Sequence, residues 1–288
     1  MDHTTFLHRP ALRRPVLVAA FEGWNDAGEA ATTALGFVAA ALDAETFARI
    51  DPEEFYDFQD TRPTVRLADG TGRVIEWPTV EFQAVRLPGS DRDFILVRGD
   101  EPNLRWRTFA QEVLEVTRAF NVEMVVTLGA LLADVPHTRP VQVVGSAGDP
   151  ALADKLGMAT SRYEGPTGIL GVLADAANRT DVPAVSLWAA LPHYVQATPN
   201  PRAALALVER LRTLLSLPID TSSLVEATEA FDATVADIVA DDPELVSYVE
   251  RLEATHDQEA SSLENLPPED LVAEVERFLR DHPGGSRP

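Results

Sequence analysis

Val16–Leu17–Val18–Ala19–Ala20–Phe21, followed at once by Glu22–Gly23–Trp24–Asn25–Asp26–Ala27–Gly28, is the stretch on which the fold turns. Six apolar residues in a row, with no polar alternate, mark a strand buried on both faces. The turn behind it offers Asn25 or Asp26 as a helix cap. Ala27, Ala31, Leu35, Val38 and Leu42 then recur at helical spacing. The chain therefore opens strand, tight turn, helix.

Further along, the same alternation returns. Phe94–Val97 reads as a strand, Asn103–Phe120 as a helix with Phe109, Val113, Val116 and Phe120 on one stripe, and Val122–Leu128 and Val141–Val144 as strands. Gly168–Asn178 is a helix, Ala184–Ala190 a strand, and Asn200–Pro201 caps and starts a helix carried by Leu205, Val208, Leu211 and Leu215. Strands alternating with helices predict an α/β sheet covered by helices on both faces. Thr46–Phe94 interrupts the pattern. Val65–Leu67 and Val74–Trp77 flank a Gly-rich turn as a hairpin, and Val80–Leu87 alternates, so an antiparallel insertion or edge is expected here.

After Leu217–Pro218 the strand signals stop. Three amphipathic stripes follow, on Leu224–Ile238, Leu245–Leu252 and Leu271–Leu279. Residues 1–218 thus form an α/β core and 219–288 an acidic helical C-terminal region. The tail holds 18 acidic and 4 basic residues, a large share of a net charge of −22. It reads first as a solvated helical face, with an arm for a basic partner as the functional alternative.

That charge argues against binding nucleic acid or anionic membrane surfaces. No run of 18 apolar residues exists, and the polar first 14 residues do not form a signal sequence, so a cytoplasmic protein is expected. The chain has no cysteine, which removes disulfides, thiolate metal sites and a cysteine nucleophile. Lys155 is the sole lysine, so a lysine-based phosphate clamp has one candidate.

Chemistry is sought at the carboxyl ends of the parallel strands, where open α/β sheets bind ligands. Leu128 to Pro140 and Leu187 to Tyr194 each leave a strand and reach Pro-His, at His137 and His193. Two imidazoles there can share a metal or act as acid and base, but no HExxH or comparable ligand spacing accompanies them. Glu22, Asp26, Asp100, Glu101 and Glu164 are acids near strand ends, with no spacing that selects a pair. The Gly165–Gly171 turn opens a helix with Thr167 as its expected cap, and it lacks the lysine of a P-loop. The candidate pocket or interaction residues are Asn25, Asp26, Glu101, Trp106, His137, Thr138, Arg139, Thr167, His193 and Tyr194. No catalytic residue, metal ligand or cofactor is assigned.

Several of these segments, taken in order, resemble the high-GC bacterial branch of the proteasome assembly chaperone family. They are Phe21–Gly28, Gly99–Pro102 with Trp106, Gly129–Pro140, Tyr163–Gly168, and Leu187–Tyr194 with Pro199–Pro201. The resemblance implies a three-layer α/β/α sandwich similar to the purine nucleoside phosphorylase-like fold, with a C-terminal helical extension. It implies self-association, as a homotrimer, and proteasome subunits as partners. It transfers no catalytic residue. Some relatives dock on proteasomes through a hydrophobic–Tyr–any-residue terminus. This sequence ends Gly284–Gly285–Ser286–Arg287–Pro288, so that docking mode is not expected of it. The function expected is a non-enzymatic protein-binding factor. The alternative is an enzyme on the phosphorylase-like scaffold that acts on a small anionic or nucleotide-like substrate.

If the tail contributes no strand, residues 1–218 expressed alone should still unfold cooperatively on heating. A non-cooperative melt would contradict the two-part division.

Overall fold

A computed structural model describes residues 2–263, apart from 69–71, 162, 181 and 196. The third stripe of the tail and the terminal Gly-Gly-Ser-Arg-Pro lie outside the described residues.

The opening run becomes β2 (Val16–Glu22), and Val16 to Phe21 are at most 2% exposed. Its side chains alternate between two cores. Val16, Val18 and Ala20 join the cluster built with α1 (Ala30–Ala41) and α5 (Pro201–Leu215). Leu17, Ala19 and Phe21 join the cluster built with α2 (Trp106–Ala119) and α4 (Ile169–Asn178). One strand thus serves both faces of the sheet, and the architecture is a three-layer α/β/α sandwich.

β2 pairs in parallel with β7 (Phe94–Asp100) on one side and β8 (Met124–Ala133) on the other. β8 pairs in parallel with β11 (Ala184–Pro192). Beyond β7 the sheet turns antiparallel through β6 (Val80–Val85), β3 (Glu45–Ile50) and β1 (Thr4–Phe6). Beyond β11 come β9 (Val143–Ala147), antiparallel to it, and the two-residue β10 (Ala159–Thr160).

The expected hairpin exists as β4 (Thr64–Leu67) and β5 (Arg73–Glu76), a separate two-stranded sheet with every strand residue exposed. Sequence reasoning did not name β1, β3, β10 or α3 (Pro150–Leu156). β3 hid because a bulge between Thr46 and Ala48 breaks the alternation and buries Phe47 and Ala48 together. The other three are too short for periodicity to register.

The tail forms α6 (Ser222–Ala240) and α7 (Pro243–Leu263). Ile219 and Leu224 bury into the same cluster as α5, while Val235, Val239 and Val249 form a smaller core with Phe231, Tyr194 and Val195. The helices are therefore anchored on the sandwich. No described helix is long and apolar enough to cross a membrane.

Phe109 is fully buried, edge-on to Phe21 at 5.7 Å and to Phe55 at 5.5 Å. Truncating it to alanine leaves a cavity between α2 and the central strand. Phe109→Ala should destabilise the fold by about 3–5 kcal/mol in a urea titration.

Candidate functional site

The ten candidate residues gather in two places. The first surrounds the β2–α1 turn. Gly23 carries φ 130° there, a conformation that L side chains avoid, and it lets the chain pass the Glu101 side chain. Asp26 Oδ1 accepts from Ala31 N at 2.6 Å, and Asp26 Oδ2 accepts a short hydrogen bond from Thr32 Oγ1. Of the two expected caps, Asp26 is the one that serves α1. Burial pushes its carboxyl from 3.8 up to about 6, against the pull of those hydrogen bonds.

Asn25 faces another way. Its backbone carbonyl accepts from Ala130 N at 2.8 Å, and its Nδ2 donates to Glu101 Oε1 at 2.6 Å. Glu101 Oε1 also accepts from Ile169 N at 2.8 Å, the first residue of α4. The expectation that Thr167 caps α4 is therefore corrected. Gly168 occupies the cap position with no side chain to offer, and Glu101 reaches across from the end of β7 to satisfy the helix. A side chain at 168 would collide with the Asn25 amide, which explains the glycine. Burial raises the Glu101 carboxyl from its ordinary value, and hydrogen bonds from Ile169, Trp24 and Asn25 pull the other way. Trp106 donates its indole N–H to Pro102 O and packs against the α2–α4 core.

The second place lies beyond the ends of β8 and β11. Both strands run further than sequence reasoning placed them, to Ala133 and Pro192, because Gly129–Ala133 and Leu187–Pro192 continue as apolar parallel neighbours in register. The two Pro-His segments thereby start from one edge. Tyr194 Oη accepts from the His137 backbone N–H at 2.7 Å and shares a second hydrogen bond with His137 Nδ1 at 2.8 Å. Burial, then the nearby Arg202, holds the His137 pKa below its ordinary value. His193 Nδ1 lies 3.1 Å from Asp134 Oδ1, which also accepts from Tyr248 Oη at 3.1 Å.

Residues of the tail close this second cluster, and sequence reasoning had not connected them to it. Arg139 makes a two-pronged contact with Asp257, Nε to Oδ1 at 2.8 Å and Nη2 to Oδ2 at 2.6 Å, and reaches Glu253 at 3.3 Å. Thr138 Oγ1 donates to the same Glu253, and Arg202 pairs with Asp232 while donating to Arg139 O at 2.8 Å. Part of the tail's acidic charge thus meets basic side chains of its own chain. The signal was present as isolated arginines in a chain of −22, but only folding shows which acids they meet.

Asp26, Glu101 and Thr167 sit in the first place, while His137, Arg139 and His193 sit in the second. Each charged or imidazole group is engaged by a neighbour in the fold. Among the described residues no group of three or more His, Asp or Glu side chains is arranged to hold a metal ion.

The PAC2 family model matches residues 20–239. The chain belongs to the PAC2 family. A PAC2 family protein of Streptomyces avermitilis is 51% identical, with 82% of this chain and 99% of that one covered at a TM-score of 0.77. A proteasome-assembly chaperone homologue of Mycobacterium tuberculosis is 48% identical, covering 81% and 99% at 0.74. An archaeal proteasome activator of Pyrococcus furiosus shares the fold at 19% identity, covering 83% and 99% at 0.66. No functionally curated protein matches.

The Asp26 environment has a pH signature. The folded protein holds a proton there between pH 3.8 and about 6 that the unfolded chain releases. That contribution to stability is fully present below 3.8 and lost as pH rises through 6. Asp26→Asn removes the titration. The stability of the wild type relative to this variant should therefore fall by about 2–3 kcal/mol across that window, read from urea titrations at each pH. An unchanged difference would contradict the raised pKa.

Proposed function

We propose that this PAC2 protein is a non-enzymatic, self-associating binding factor of the proteasome-assembly kind, working in the cytoplasm. The observation that carries the reading is the state of the candidate polar groups. Asp26 and Glu101 serve as helix caps, His137 is locked to Tyr194, and Arg139 is forked onto Asp257. A general base needs a nucleophile within reach and an orienting third group, and here the neighbours are structural. The M. tuberculosis relative, about half identical over its whole length, is a proteasome-assembly chaperone homologue, which supports the same direction.

Self-association finds its surface in the β4–β5 hairpin. Val65, Leu67, Val74, Ile75 and Trp77 are each 48–79% exposed, and a two-stranded hairpin is marginal in water without a covering partner. A trimer is the state proposed from the family resemblance. Light scattering should give a trimer mass for the wild type, and the double change Leu67→Ser, Ile75→Ser should shift it to the monomer. A wild-type monomer at micromolar concentration would overturn the self-association.

Partner binding is tested by co-expression with proteasome α-subunits and native mass spectrometry. A defined complex is expected, weakened by His137→Ala, with no turnover of nucleosides plus phosphate, acyl esters or ligation substrates. Turnover lost in a His137→Ala protein that melts like the wild type would replace this reading with the enzyme.

A further inference from the structure

The loop after β8 is shaped by partners that do not belong to α7. Pro136 and Pro140 bracket it, Arg139 N closes a turn on Pro136 O at 3.4 Å, and Tyr194 Oη holds the His137 backbone N–H. Arg202 of α5 donates to Arg139 O at 2.8 Å. These contacts persist if α7 leaves. Thr138 and Arg139 are thus presented, on a backbone already fixed, at the carboxyl edge of the parallel strands, where α/β sheets bind ligands.

The helix that covers this loop is held unevenly. Up to Leu252 it is anchored by packing: Val249 and Leu252 are buried, and Leu245 and Val246 join the small core beside Tyr194 and Val195. From Glu253 to Gln258 no residue is buried. That stretch rests on polar contacts, Glu253 with Thr138 and Arg139, Asp257 with Arg139, and His256 Nε2 against Gln142 Nε2 at 3.2 Å. Arg139 is 31% exposed, Glu253 28% and Asp257 55%, and ion pairs so open to water hold a helix end weakly. Segments with few buried apolar contacts are the ones that open locally. A cavity of only ≈ 20 Å³, lined in part by His137, Arg139, Gln142 and His256, lies beneath, whereas small-molecule sites span about 300–1,000 Å³. A partner reaches this surface by taking the place of α7.

We infer that the stretch of α7 from Glu253 is a displaceable cover, and that Thr138, Arg139 and Gln142 beneath it receive an acidic helix of a partner protein. The present occupant defines the ligand. Glu253 and Asp257 stand one turn apart on one helix, so the Arg139 fork and the Thr138 hydroxyl engage carboxylates at i and i+4. His256, at i+3, meets Gln142. A partner helix with acids at i and i+4 and a hydrogen-bonding side chain at i+3 makes the same contacts. The inference rests on the protein-binding reading and supplies one surface for it.

The probe is a fluorescent peptide of residues 243–263 of this chain, titrated by anisotropy into the full-length protein. Weak saturable binding is expected, since the tethered α7 competes. Glu253→Gln with Asp257→Asn in the protein weakens that competitor and should tighten peptide binding at least about tenfold. Arg139→Gln added to this double variant should abolish it. The same two changes placed in the peptide instead should cost about tenfold against the unaltered site. Hydrogen exchange should show amides 253–258 opening at least about tenfold faster in Arg139→Gln than in the wild type, with 245–252 unchanged. No peptide binding to the double variant at millimolar concentration would overturn the proposal. So would equal affinity for the acidic and neutralised peptides, or inorganic phosphate displacing the peptide as well as unlabelled peptide does. Should Arg139→Gln not fold, the two peptides still decide, because they leave the protein unaltered. Peptide binding without any complex with proteasome α-subunits would fail that choice of partner and leave this surface standing. A complex that forms while the peptide does not bind would sink this surface alone.

Discussion

A strand buried on both sides has no spare face. β2 meets α1 and α5 with one set of side chains and α2 and α4 with the other, and its backbone is committed on both edges to β7 and β8. Everything else is arranged around that commitment. The helices that cover it must start close to the strand ends, so their unpaired N–H groups come to lie in the interior. Asp26 and Glu101 answer this demand, one for α1 and one for α4, on opposite faces of the sheet. Two acids that look like catalytic candidates at strand ends are the polar cost of wrapping helices tightly over a buried strand.

The same logic extends to the loops after β8 and β11. Parallel strands in register deliver both Pro-His segments to one edge, where ligands of such sheets commonly bind. In this chain the edge is occupied from within. Tyr194 fixes His137, Asp134 lies between His193 and Tyr248, and the arginines at 139 and 202 hold the two tail helices over the loops.

The acidic tail illustrates how charge and packing divide the work. Its apolar residues, Leu224, Val235, Val239 and Val249, supply the contact area, since burial of such side chains yields about 1.5–3 kcal/mol each. Exposed ion pairs such as Arg139 with Asp257 add less to stability but set where α7 sits. Among the described residues of the tail, Asp220, Glu226, Glu229, Asp237, Asp241, Asp242, Glu244 and Glu250 are exposed.

Continuous apolar runs and helical stripes carry their own structural meaning, so β2, β7, α2, α5 and the α/β class were legible from residue order alone. Asn200 as the cap of α5 was legible too, because a cap acts within three residues of itself. Glu101 as the cap of α4 was not, since it lies 68 residues from Ile169 and only the pairing of β7 with β2 brings it there. The bulge in β3, the extension of β8 and the grip of Arg139 on Asp257 escaped for the same reason. Local order determines which segments are strands and helices. Which polar groups meet is decided by contacts between segments far apart in the chain, and those exist only once the sheet has assembled.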